Sequence, residues 1–118
     1  MNRAAGFRHL DYMDHMVEAI DLALGYVDGM DKATFLDDRR TQQAVIMNIL
    51  VIGEAATRMA EKYPEFAQQH SHIPWGSMRG MRNRLAHGYF DIDLDVVWET
   101  LRKDLPDLRD GLAKIVPP

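Results

Sequence analysis

The chain has no cysteine. That removes disulfides, thiolate metal sites and a cysteine nucleophile together, and it suits a reducing cytoplasm. No apolar run approaches the roughly 18 residues of a membrane span. The opening residues, Met1-Asn2-Arg3-Ala4-Ala5-Gly6-Phe7-Arg8, lack the apolar centre of a secretion signal. Alternating strand patterns, internal repeats and low-complexity tracts are also missing. A broad excess of positive charge is missing too: 18 carboxylates against 14 lysines and arginines give a net charge of −4. That argues against non-specific duplex binding while leaving room for a focused pocket that takes a single strand.

One absence is local. No Asp or Glu lies between Glu65 and Asp91. Inside that gap Arg79, Arg82, Asn83, Arg84, His87 and Tyr89 fall close together. A cationic island in an acidic protein points to handling of a phosphodiester.

At 118 residues the chain is expected to form one domain, residues 1–118, with a modest core. The periodicity predicts four principal helices. Leu10, Met13, Val17, Ile20, Leu24 and Val27 recur at three and four residues and mark a helix from Arg8 to Val27, closed by the turn pair Asp28-Gly29. A short segment follows, with Thr34 as its expected N-cap, Asp37 three residues on, and Phe35 and Leu36 as anchors. The next helix is read from Arg39 to Lys62, stopped by Tyr63-Pro64 because a residue before proline avoids the helical region. Its centre, Ala44 to Ile52, is apolar except for Asn48 and is expected to be the most buried stretch. Gly53 costs this helix about 1 kcal/mol against alanine, so close approach of another helix is its expected use.

After a connector with one turn of helix, Pro74 opens the third helix and Gly88 closes it, the latter by tolerating a left-handed backbone. Trp75, Met78, Met81 and Leu85 form its apolar stripe, and Arg79, Asn83, Ala86 and His87 lie largely off it. Asp91-Ile92-Asp93 links to a final helix striped by Leu94, Val97, Trp98, Leu101 and Leu105, which Pro106 kinks and Leu108, Leu112 and Ile115 continue. Pro117-Pro118 is a tail. The fold class is all-α: an antiparallel up-and-down bundle of four principal helices plus short helical segments.

The helix places His87 at a C-terminus, where backbone carbonyls favour a positive charge. Arg82 and His87, five residues apart, stand about 140° apart on an ideal helix. Three arrangements could still join them: the arginine reaches round, the backbone breaks before His87, or two chains share a cleft. The blander readings are a capping histidine, a salt-bridged arginine and a half-buried tyrosine. A metal site at His15-x-x-Glu18 or at Glu54 with Glu61 is disfavoured, because a di-metal bundle wants paired Glu-x-x-His motifs that the chain lacks. His70 and His72 read as solvated.

Arg82-Asn83-x-x-x-His87-x-Tyr89 resembles the signature of HEPN-superfamily ribonucleases. The runs Ile73-Pro74-Trp75, Gly80-Met81-Arg82-Asn83-Arg84 and Leu85-Ala86-His87-Gly88-Tyr89-Phe90 resemble its HepT-like toxins, the partners of MNT-type nucleotidyltransferase antitoxins. The likeness extends to Thr41–Val45, Val51–Ala56, Val97–Thr100 and Asp104–Pro106. It implies a HEPN-like bundle and a homodimer whose motif helices line one cleft. It also implies a metal-independent endoribonuclease toxin with Arg82 and His87 catalytic, Asn83 and Arg79 on substrate phosphate or orientation, and no cofactor. The ATP-using antitoxin would silence it by moving AMP onto Tyr89. Arg84 reads as a steering or interface charge. The chain departs from the family at Met47 and Val51, where related toxins often carry a basic and an acidic residue. The alternative function is a non-catalytic nucleotide-binding or adaptor subunit of a nucleotidyltransferase.

Overall fold

The structure, a computed structural model, describes residues 8–115. The stretch before Arg8 and the Pro117-Pro118 tail lie outside the described residues. The described residues form helices and turns without strands, as the periodicity predicts.

Helix α1 spans Arg8–Tyr26. Met13, Met16, Ala19, Ile20 and Ala23 are its buried face, and Val27, one residue past its end, is buried too, while Leu10, Val17 and Leu24 are only partly covered. The buried arc is thus broader than one predicted stripe, because α1 is packed from two sides. The turn after it needs Gly29, whose φ of 74° is the one positive value among the described residues.

Helix α2, Lys32–Leu36, is capped by Asp31 and not by Thr34. Asp31 Oδ1 accepts the Thr34 N–H at 2.8 Å, so Thr34 sits inside the helix. Phe35 is fully buried, 5.3 Å from the Trp98 ring, whereas Leu36 is exposed and anchors nothing. Gln42 Nε2 donates to the carbonyls of both Phe35 and Leu36, closing the end of α2.

Helix α3 spans Arg39–Lys62, the bounds the sequence predicts. Asp38 takes both the backbone N–H and the hydroxyl of Thr41. Its buried face is Val45, Ile49, Ile52, Gly53, Ala55, Ala56, Thr57 and Met59. The stretch Ala44 to Ile52 is not uniformly buried: Met47 is 61% exposed. Most of the cover on α3 comes from α1 and α5, and Met47 stays outside it.

The Thr41 hydrogen bonds hold the Asp38 carboxyl below its ordinary value of 3.8, and Thr34 does the same for Asp31. Both groups have a lower pKa folded than unfolded. Their stabilisation is therefore present above the unfolded value and is lost as pH falls through the folded one. Asp38→Ala should unfold at lower urea than the parent at pH 7, and the gap should narrow in acid below the folded value. A gap that stays constant down to strong acid would show that the cap acts without its charge.

Pro64 opens α4, Pro64–Gln69, and the chain turns back into α5, Trp75–His87. The Trp75 indole N–H donates to the Ala67 and His70 carbonyls, tying the connector to the start of α5. A 3-10 turn, Tyr89–Asp91, leads to α6, Leu94–Glu99, capped by Asp93. One π turn at Thr100–Asp104 then feeds α7, Leu105–Ala113. Pro106 lacks the N–H that would serve the carbonyl four residues back, and the widened turn accommodates this by bonding Leu105 N–H to Thr100 O.

Around the bundle, α5 packs on α3, α3 on α1, and α1 on α7. The remaining side, between α5 and the α6–α7 arm, stays open as a groove of about 440 Å³ floored by Ile49, Ile52 and Gly53. His72, facing the Gly111 carbonyl at 3.4 Å, marks one end of it.

Candidate active site

The site is built along the antiparallel seam of α3 and α5. Gly53 makes the seam close. A Cβ at that position would stand 2.5 Å from Arg82 Cβ and 2.9 Å from the Met78 carbonyl, nearer than atoms can approach. The expected role of Gly53 is therefore the observed one. With backbones that near, the next residue of α3 can reach α5 side chains directly. Glu54 Oε1 accepts from Arg82 Nη1 at 2.6 Å. Two turns along, Glu61 Oε2 accepts from Arg79 Nη2 at 3.2 Å.

The cationic island of α5 is therefore partly neutralised by carboxylates of α3. Neither Glu54 nor Glu61 was predicted to meet these arginines, because they lie far away in sequence. Their engagement also uses the two carboxylates that a metal site on α3 would need. The one local clue was the four-residue spacing of Glu54 and Arg58, whose side chains do pair at 2.8 Å.

The predicted site residues fall into separate surroundings. Arg82 is the most enclosed, its side chain 24% exposed and its Nε buried with no hydrogen-bond partner. Burial works to raise the Glu54 carboxyl, but hydrogen bonds and charge from Arg82 and Arg58 outweigh it and hold the group below its ordinary value. Arg79 is exposed in its pair with Glu61. Asn83 and His87 are exposed, and neither has a hydrogen-bond or ion-pair partner among the described residues. Arg84 points elsewhere, lining the groove beside Met81 opposite Asp104 and Asp107.

Helix α5 is unbroken from Trp75 to His87, so the chain does not bend to bring His87 to Arg82. Nor does Arg82 reach round, since its guanidinium is turned to Glu54. Of the three arrangements open to the sequence, the single chain realises neither of the two available to it.

Gly88 closes α5 with φ −110°, not with the left-handed backbone expected of it. Its smallness matters for another reason: a Cβ there would lie 2.8 Å from the Arg84 carbonyl, which accepts the Gly88 N–H. Immediately beyond, Tyr89 is 59% and Phe90 95% exposed, their rings edge-to-face at 5.5 Å. Two aromatics left in water beside a histidine form an unusual surface.

Residues 16–115 match the family described as ribonuclease HepT-like. The chain belongs to that family. Membership bears out the expected HepT-like resemblance and the enzyme class, an endoribonuclease. Among curated HepT-like relatives, the chain is similar to the probable ribonuclease HepT of Thermococcus cleftensis, with 36% identity over 107 residues, covering 91% of this chain and 94% of that one. It is 30% identical over 105 residues to a protein of Caldanaerobacter subterraneus subsp. tengcongensis named as a candidate RNase, covering 89% and 91% of the two chains. A third relative, from Methanocaldococcus jannaschii, is named as a gamma-glutamylcyclotransferase and candidate RNase. It is 35% identical over 105 residues, and this chain spans only 46% of its length. No solved structure gives a significant match. Among the described residues of this HepT-like chain no helix is long and apolar enough to cross a membrane.

Proposed function

We propose that the chain is the toxin of a toxin–antitoxin pair, a single-domain, metal-independent RNA endonuclease whose active site is completed by a second copy. The observation that carries this reading is that one unbroken helix α5 of a HepT-like chain holds Arg82 half-enclosed at the α3 seam and leaves Asn83 and His87 exposed, with a rotation between arginine and histidine that one chain does not close. A two-fold axis beside α5 would set the Arg82 of each chain against the His87 of the other.

The chemistry follows from the groups. The RNA 2′-OH loses its proton and its oxygen attacks phosphorus, forming a 2′,3′-cyclic phosphate. The bond to the 5′ oxygen breaks, and that oxygen takes a proton. The His87 imidazole is the group that takes or gives the proton at one of these two oxygens. The Arg82 guanidinium, planar and permanently charged, holds the phosphoryl oxygens as negative charge grows on them. Asn83, one residue on, donates to phosphate or orients the histidine, and Arg79 steers the strand.

Tyr89 is the silencing point. Its hydroxyl, on an exposed ring two residues past His87, attacks the α-phosphorus of ATP held by an MNT-type nucleotidyltransferase antitoxin. Pyrophosphate leaves and the hydroxyl proton passes to the transferase. The new phosphate then blocks the site by occupancy and by neutralising the arginines.

Mixing inactive subunits tests the shared site. Arg82→Ala and His87→Ala chains, each inactive alone, should together recover about a quarter of parental activity, since half of randomly paired dimers are mixed and each holds one intact site of two. Recovery near zero with mixed dimers present would place each Arg82/His87 pair within a single chain and end the shared-site reading.

A further inference from the structure

We infer that Glu54 is a positioning residue for RNA cleavage: its carboxylate, braced by Arg58, fixes the Arg82 guanidinium in the direction from which it meets the scissile phosphate. This rests on the reading of Arg82 as the phosphate-binding group. It adds to that reading a residue on a different helix.

The geometry is that of a clamp. Glu54 gives one oxygen to each neighbour, Oε1 to Arg82 Nη1 at 2.6 Å and Oε2 to Arg58 Nε at 2.8 Å. With both oxygens engaged on opposite sides, the carboxylate is constrained from swinging away. Arg82 is anchored at its other end by the close approach at Gly53, which places Arg82 Cβ against the α3 backbone. Its Nε is enclosed and unpartnered, so the hydrogen bond to Glu54 is what orients its guanidinium among the described residues. A guanidinium carries five N–H groups in a rigid fork. Spending one edge on Glu54 leaves Nη2 and the outer part of Nη1 for phosphoryl oxygens.

The charge count allows this. Two guanidiniums and one carboxylate leave the array at +1, so it still attracts phosphate. The pair Arg79–Glu61 lacks these features: both side chains are more than half exposed, and no second arginine braces Glu61 among the described residues. An exposed pair of that kind holds its partner weakly. Ordering a long arginine side chain before substrate arrives removes a cost that would otherwise fall on the reaction step.

A positioning role has a kinetic signature that a fold staple or a competing anion lacks. Glu54→Gln keeps the shape and one acceptor oxygen but loses the charge and the two-sided grip. Glu54→Asp keeps the charge but withdraws it. Assayed on a single-stranded RNA, both should lower kcat by about 10–100-fold with KM within about threefold of the parent, and with the folded fraction unchanged by near-UV circular dichroism. Arg58→Ala, which removes one brace, should lower kcat less. In 15N spectra the enclosed Arg82 Nε–H resonance should shift or broaden in both Glu54 variants. Unchanged or raised kcat in Glu54→Gln would overturn the inference, the raised value by making Glu54 a competitor of phosphate. So would a kcat loss that merely tracks lost folded protein, a larger loss from Arg58→Ala, or an unmoved Arg82 resonance. If the parent cuts RNA no faster than His87→Ala, the proposed function has failed, and the resonance alone decides whether Glu54 holds Arg82. If only the Glu54 variants behave as the parent, the function stands and this role is gone.

Discussion

Alanine at His87 should lower kcat for cleavage of single-stranded RNA by about 10²–10⁴-fold and leave the protein as stable as before. The activity loss follows from removing the group assigned to proton transfer. The preserved stability follows from structure: His87 is the last residue of α5, exposed, with no hydrogen-bond or ion-pair partner among the described residues, so truncation should cost within about 0.5 kcal/mol. That separation makes it the most informative single change. Gel analysis of a labelled RNA, beside a thermal melt of the same sample, checks both halves. Equal cleavage by parent and variant would remove the enzyme mechanism and favour the adaptor reading. Arg82→Ala should be as inactive, but it is a less clean test because it also strips Glu54 of a partner across the α3–α5 seam.

A larger structural effect is expected at Gly53. Helix propensity favours alanine over glycine there by about 1 kcal/mol, whereas overpacking typically costs about 1–3 kcal/mol. Contact decides the sign. An added Cβ would lie 2.5 Å from Arg82 Cβ and 2.9 Å from a backbone carbonyl, and both atoms are fixed by α5 itself and cannot rotate away. Two contacts below 3 Å, one of them to backbone, put the overpacking in the upper part of that range, about 2–3 kcal/mol, so Gly53→Ala should destabilise by about 1–2 kcal/mol net, and Gly53→Val by about 3 kcal/mol. The folded fraction should also lose activity, because α5 must back away and carry Arg82 from Glu54. Gly25 in α1 is the control. Nothing lies within 4 Å of a Cβ built there, so Gly25→Ala should stabilise by about 0.5–1 kcal/mol. Urea unfolding of the three variants tests the contrast. A neutral Gly53→Ala would mean the seam is looser than described.

Several elements were legible because their causes are local. The ends of α3 follow from an aspartate that caps it and a proline that stops it, and both act within a few residues. The Arg82–His87 spacing and the family likeness are likewise written in consecutive positions. Three readings missed for local reasons too. Asp31 outcompeted Thr34 as a cap, Leu36 turned to water, and Gly88 serves a close carbonyl instead of a left-handed turn.

What the linear order could not reveal is which distant groups meet. The amphipathic spacing by itself determined that the chain would be helical, where its principal helices begin and end, and which of them carries the basic motif, since propensity, caps and periodicity act over a turn or two. Only the packing decided that α5 lies on Gly53, that Arg82 answers to Glu54 and Arg58 while Arg84 faces another groove, and that Met47 stays in water. Those outcomes depend on how close two helix backbones can come, and that distance is set by residues of separate helices that meet only in the folded chain.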